Sequence, residues 1–121
     1  EMLLSGLGAG ARGAIGSTYN FAAPLYRRLI GAFEQGRPDE ARSHQARSVE
    51  MIRLLLPHGT LPAFKAVMGL LGHDCGPCRL PLRRLAAEET ARLAADLEAA
   101  GVFEWGREYA RPPNPHAGTD R

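Results

Sequence analysis

The chain has 121 residues, enough for one modest domain with a limited core, and 45% of them are hydrophobic, an ordinary share for a globular protein. Its formal charge is +2, with arginines dispersed among acids and no basic stripe interleaved with aromatics, which argues against a nucleic-acid partner. No apolar run is long enough to cross a bilayer, "EMLLSGLGAG" lacks the basic start of a secretory signal, and two cysteines cannot form a disulfide framework; the expectation is a reducing, cytoplasmic setting with no membrane partner.

In chain order, Glu1 opens directly into an apolar helical pattern, as though a longer chain had been cut. Met2, Leu3, Gly6 and Leu7 share one face of a short helix closed by Gly10. "GAIGS" at 13–17 is small, apolar and flanked by glycine, which suits a short buried strand of a parallel sheet. A helix follows with Thr18 or Asn20 as its cap, Leu25, Leu29, Ile30 and Phe33 as its apolar face, and Gly36 as its stop. Pro38, Asp39 and Glu40 start the next helix, because proline suits the first turn and acids suit its dipole. Ala41, Val49, Ile52, Leu55 and Leu56 carry its stripe as far as Pro57.

"TLPAFKAVMGLLG" (60–72) predicts a helix capped by Thr60 and buried on most sides. Residues 73–85 read as a loop, and 86–101 as an amphipathic helix with Leu93, Leu97 and Ala100 inward and Gly101 at its end. The tail 110–121, with three prolines and no apolar period, reads as disordered. The expected fold is mostly α with one short strand.

"HDCGPCRLPL" (73–82) carries the thioredoxin-like Cys-Gly-Pro-Cys. Redox chemistry would need Cys75 as a low-pKa thiolate at a helix N-terminus and Cys78 as its resolving partner. Pro81 falls where that helix should run, and no strands follow, so the pair reads as incidental. His73, Cys75 and Cys78 lack a second ligand pair, and His44 and His58 stand at no recognised spacing; no metal is expected. Lys65 sits within a helical pattern and reads as a surface lysine. Ser17 reads as a turn or capping serine and Glu1 as a helix-start acid, while Tyr19 suits either a pocket wall or helix packing.

"EMLLSGLGAGARGAIGSTYN" resembles the seventh-helix and eighth-strand region of the N-acetylneuraminate lyase branch of the dihydrodipicolinate synthase superfamily, with "GAIGSTYN" its specific part. "LPAFKAVMGLLG" and "GPCRLPL" resemble that branch's C-terminal helices and the loop between them, so the likeness covers residues 1–100. The resemblance implies the C-terminal portion of a (β/α)8 barrel whose usual length is about 250 residues, plus a helical extension. It implies residues 1–36 as the last helix–strand–helix units and 37–109 as the helical region.

It further implies a pyruvate-dependent aldolase with no cofactor, acting as a homotetramer on a sugar acid. The imine-forming lysine, a tyrosine and a threonine pair of that family belong before Glu1, so no catalytic residue is expected in this chain. Glu1 and Ser17 match the positions that bind the hydroxyl-rich tail of the substrate, and Ile15 matches an apolar position beside the pyruvyl end. The aspartate that normally precedes the glutamate is missing. Rival readings are the synthase itself or another 2-keto-3-deoxy sugar acid aldolase, and a freestanding helical interaction domain.

Overall fold

The computed structural model describes residues 1–107; the expected disordered tail lies outside the described residues. Among the described residues, six α-helices and one 3-10 turn follow in order: α1 (Leu3–Gly8), α2 (Tyr19–Glu34), α3 (Pro38–Leu55), the 3-10 turn (Leu56–His58), α4 (Thr60–Leu70), α5 (Ala87–Ala99) and α6 (Glu104–Arg107). The long α2 and α3 pack together as the centre, and the shorter helices lean on them.

Local chemistry explains the boundaries. Gly36 has φ +67°, a left-handed conformation that a residue with a Cβ resists, and the next amide, Arg37 N, returns to Ala32 O at 2.9 Å. Only the tight link Gln35–Arg37 then separates α2 from Pro38 at the head of α3, whose first turn carries Asp39 and Glu40 as the sequence predicts. α2 is bent near its start: Ala22 departs from helical geometry (φ −119°, ψ 22°) two residues before Pro24, which has no N–H to donate and crowds the preceding turn.

One buried cluster runs through the described residues. Leu3 and Leu7 of α1, Tyr26 and Leu29 of α2, Met51 and Leu55 of α3, Val67 of α4, and Leu93 and Leu97 of α5 all belong to it. Each fully buried leucine contributes about 1.5–3 kcal/mol relative to an exposed one.

The structure corrects several sequence expectations. The strand expected at 13–17 does not form, and no strand occurs among the described residues, because a strand exists only when paired with a neighbouring one. The segment is correspondingly exposed rather than buried, Ile15 completely so. In α3 the buried row is Ala41, His44, Ser48, Met51 and Leu55, while Leu56 is exposed and Val49 half-buried. That row keeps a helical period but passes through two polar residues, so a hydrophobic count alone misplaces it. α4 buries only Pro62, Ala63 and Val67, leaving Leu61, Leu70 and Leu71 exposed. Thr60 is its first helical residue rather than its cap, and Phe33 likewise lies on the solvent side of α2.

The 73–85 segment is a loop, as expected, and is tied down by charge. Arg83 donates to both carboxylate oxygens of Glu89 at 2.6 Å, and the Ala86 amide donates to the same carboxylate at 2.8 Å. The Arg83 guanidinium and that amide hold the Glu89 carboxyl down to about 2.

His44 is buried with neither ring nitrogen hydrogen-bonded, and its Nε2 stands 3.6 Å from Glu40 Oε1, beyond hydrogen-bond reach. Burial, reinforced by Arg47, Arg28 and Arg37, pushes its imidazole below the ordinary histidine value. The unfolded chain therefore takes up a proton first on acidification, and stability falls as pH drops below about 6.5 until the folded imidazole is itself protonated. The urea midpoint is expected to be lower at a pH of about 5.5 than at about 7.5, and His44→Met should flatten that difference. An undiminished pH dependence in the variant would place the acid sensitivity elsewhere.

Candidate functional site

The segment Gly16–Asn20 leads the non-helical stretch before it into α2, and each residue of it has a separate task. Tyr19 N donates to Gly16 O at 3.1 Å and Asn20 N to Ser17 O at 3.3 Å, closing the turn. The Asn20 side chain adds a second bond to Ser17 O at 3.0 Å. A Cβ on residue 16 would lie 3.2 Å from the Tyr19 ring, so glycine is what lets that ring fold back over the turn. The Tyr19 ring sits against Tyr26 with centroids 4.1 Å apart and planes tilted by 50°. Burial and the neighbouring Tyr26 push the Tyr19 phenol up from its usual value.

Thr18 stands at the cap position of α2 but makes no capping bond. Its hydroxyl instead turns inward to the Tyr26 hydroxyl at 2.6 Å, which also accepts from Ser48 Oγ of α3 at 3.0 Å. Thr18, Tyr26 and Ser48 are all buried, so this is a closed polar knot inside an apolar core. Tyr26 and Ser48 escaped the sequence reading. A tyrosine and a serine at helix-core positions, with a threonine just before the helix, are the only trace they leave.

With Thr18 drawn inward, Ser17 stays exposed and lines an open cavity of about 490 Å³. Glu1 and Ile15 line the same cavity, so all three sequence-predicted site residues come together. Tyr19, Ile52 and Phe64 form part of its wall, which gives Tyr19 both of the roles the sequence left open. Ile15 differs from its expected place: it stands at the rim in full contact with solvent rather than deep inside, since no neighbouring strand covers it. Glu1 is positioned from α3. Gln45 Nε2 donates to Glu1 O at 2.7 Å, and Gln45 Oε1 accepts from Leu4 N at 2.9 Å, satisfying one of the amides that an α-helix leaves open at its start.

Lys65, the chain's one lysine, lies elsewhere. Its Nζ donates to Cys75 O at 3.1 Å and Pro77 O at 2.9 Å, on the wall of a second cavity of about 260 Å³ that also takes in Asp74 and Arg84. Asp74 accepts from the Gly76 amide at 2.9 Å and pairs with Arg84 at 3.3 Å; these contacts pull its carboxyl below the usual range. The Cys-Gly-Pro-Cys stretch is therefore a pinned loop with no helix running on from it, Cys75 exposed and Cys78 half-buried. No group of three or more His, Cys, Asp or Glu able to hold a metal occurs among the described residues. No described helix is long and apolar enough to cross a membrane.

Residues 1–100 match the Dihydrodipicolinate synthetase family, and the chain belongs to that family. It is 42% identical over 112 residues to the N-acetylneuraminate lyase of Rhizobium meliloti (strain 1021), covering 92% of this chain and 36% of that one. The N-acetylneuraminate lyase of Mus musculus is 40% identical over 101 residues, 82% of this chain and 32% of the relative. Among solved structures, the Proteus mirabilis N-acetylneuraminate lyase superposes with a TM-score of 0.78 at 42% identity, covering 84% of this chain and 34% of that one. The Mycoplasma synoviae N-acetylneuraminate lyase superposes with a TM-score of 0.75 at 31% identity, over 82% and 34%. The chain thus spans about a third of the length of the relatives it matches.

Tyr26→Phe should leave the Thr18 and Ser48 hydroxyls buried without their shared partner and cost about 1–3 kcal/mol in a urea titration. A loss near zero would show that the knot adds nothing to stability. Lys65→Met should keep the fold while raising amide exchange across 73–78 and speeding alkylation of Cys75. Unchanged exchange would mean that the two carbonyl contacts do not restrain the loop.

Proposed function

We propose that the chain is the C-terminal part of a pyruvate-dependent, imine-forming aldolase, an N-acetylneuraminate lyase that cleaves N-acetylneuraminate to N-acetylmannosamine and pyruvate. Residues 1–36 are the last helix–strand–helix units of its (β/α)8 barrel and 37–109 its C-terminal helical region. The observation that carries this reading is the meeting of Glu1, Ile15 and Ser17 on one open cavity, in a chain 42% identical to a named N-acetylneuraminate lyase.

The residue types suit the task. A polyol tail needs both acceptors and donors; a carboxylate accepts only, and a hydroxyl does both. Thr18 anchors the turn from within, so the adjacent Ser17 hydroxyl is presented without having to be held by the substrate. Ile15 contributes apolar surface toward the pyruvyl end. The bond-breaking step belongs to a lysine amine supplied by the preceding part of the barrel: its imine with the keto carbon draws off the electron pair of the C3–C4 bond, and hydrolysis later releases pyruvate. No further cofactor is required for that chemistry. Lys65 is not that lysine, because its amine is engaged by two loop carbonyls on a separate cavity. The complete enzyme is a cytoplasmic homotetramer acting on small molecules.

The chain alone and a chimera test the reading. The chain alone should release no pyruvate from N-acetylneuraminate, and borohydride should trap no pyruvate on Lys65. Exchanged for the matching segment of the Rhizobium meliloti relative, it should give an active chimera. In that chimera Ser17→Ala should raise KM several-fold with kcat held, as expected for loss of a hydrogen bond worth about 0.5–1.5 kcal/mol. Glu1→Gln should act in the same direction and more strongly. A folded chimera that cleaves other 2-keto-3-deoxy sugar acids but not N-acetylneuraminate would sink the substrate assignment, and an adduct on Lys65 would sink the assignment of the imine.

A further inference from the structure

We infer that Gln45 is a positioning residue for substrate recognition: it acts through Glu1 and sets how tightly the hydroxyl-rich end of the sugar acid is bound, leaving the imine end alone. The inference rests on the lyase reading and names a specificity-determining residue for that same site. One side-chain amide spans two pieces of chain. Gln45 Oε1 accepts from Leu4 N at 2.9 Å and Gln45 Nε2 donates to Glu1 O at 2.7 Å, across 41 and 44 residues of sequence.

The two bonds have different tasks. α1 has only six residues, and the side chain at its cap position makes no capping bond. A helix that short is marginal by itself, so an acceptor for one of its open amides steadies it. The acceptor end of Gln45 does this. The donor end reaches past α1 to a residue outside the helix, and capping α1 has no use for it. What it fixes is the backbone of Glu1, whose residue shares the 490 Å³ cavity with Ser17. Glu1 is exposed, so packing holds it little and the bond to its carbonyl oxygen matters correspondingly more. Gln45 itself is half-buried in the middle of the 18-residue α3, a far stiffer base than the six-residue α1. A carboxylate held in place before the ligand arrives binds a hydroxyl at lower entropic cost, and a hydrogen bond to it tolerates little change in distance.

The test uses the chimera with the Rhizobium meliloti relative. Gln45→Glu separates the two tasks, because a carboxylate keeps the acceptor for Leu4 N and loses the donor to Glu1 O. It should raise KM for N-acetylneuraminate about three- to tenfold with kcat held. The pyruvate concentration that gives half-maximal borohydride trapping should not move, since the imine end is untouched. Gln45→Met, which removes both ends, should raise KM at least as much. Placed on top of Glu1→Ala, either change should add less than about twofold, because Gln45 acts through a carboxylate that is no longer there. An unmoved KM in both Gln45 variants, where Glu1→Ala raises it, overturns the inference and leaves the lyase standing. A rise that survives in full beside Glu1→Ala, or one matched by a shift in pyruvate, marks a general loosening and overturns it too. A KM unmoved by Glu1→Ala overturns it together with the role given to Glu1. A folded chimera that cleaves a different 2-keto-3-deoxy sugar acid rejects the substrate assignment, and the same comparison on that acid then decides the role of Gln45.

Discussion

A buried phenol has to be paired, and the Tyr26 hydroxyl is paired twice, with Thr18 at 2.6 Å and Ser48 at 3.0 Å. Those two partners come from the turn before α2 and from the middle of α3, so one oxygen fixes three pieces of chain. Everything at the cavity mouth follows from that. Thr18 must face inward, its neighbour Ser17 is therefore left outward, and the Tyr19 ring is folded against Tyr26 under a residue that has no Cβ. The orientation of the candidate site is thus set from inside the helical core rather than at the surface where it would act.

α3 has an unusual place in this arrangement. Its buried row contains His44 and Ser48 along with Ala41, Met51 and Leu55, so part of its inner face holds groups that need partners. Ser48 has one in Tyr26, whereas the His44 nitrogens have none. One step round the helix from His44, Gln45 reaches α1 with both ends of its amide. The helix therefore holds the two sides of the cavity, Glu1 through Gln45 and the Ser17 turn through Ser48.

Helix positions were legible in the sequence because they are written in punctuation: Gly36 then Pro38 between α2 and α3, and Gly101 after α5. The matched family was legible in "GAIGSTYN", and Glu1, Ile15 and Ser17 do share a cavity. The strand was not, because its existence depends on partners that a local pattern cannot supply. Burial on α3 and α4 was misread for a related reason: hydrophobic residues mark a face that can be covered, and Leu56, Leu61 and Leu70 are left exposed here. Thr18 was read as a cap because its sequence position suits one; the partner its hydroxyl takes instead, Tyr26, lies eight residues on and is visible only in three dimensions.

The bridge from Gln45 to α1 also makes α3 a ruler. Each residue added to or removed from a helix rotates everything beyond it by about 100°, since a turn takes about 3.6 residues. An insertion between Pro38 and Gln45 would therefore swing the amide away from Glu1 O and Leu4 N, or else carry Ser48 out from beneath Tyr26. Length changes in this stretch are the ones the chain can least absorb, while the exposed segment at 79–84 has no comparable register to lose. Variation in chain length among natural versions should accordingly gather in that loop and spare the first two turns of α3.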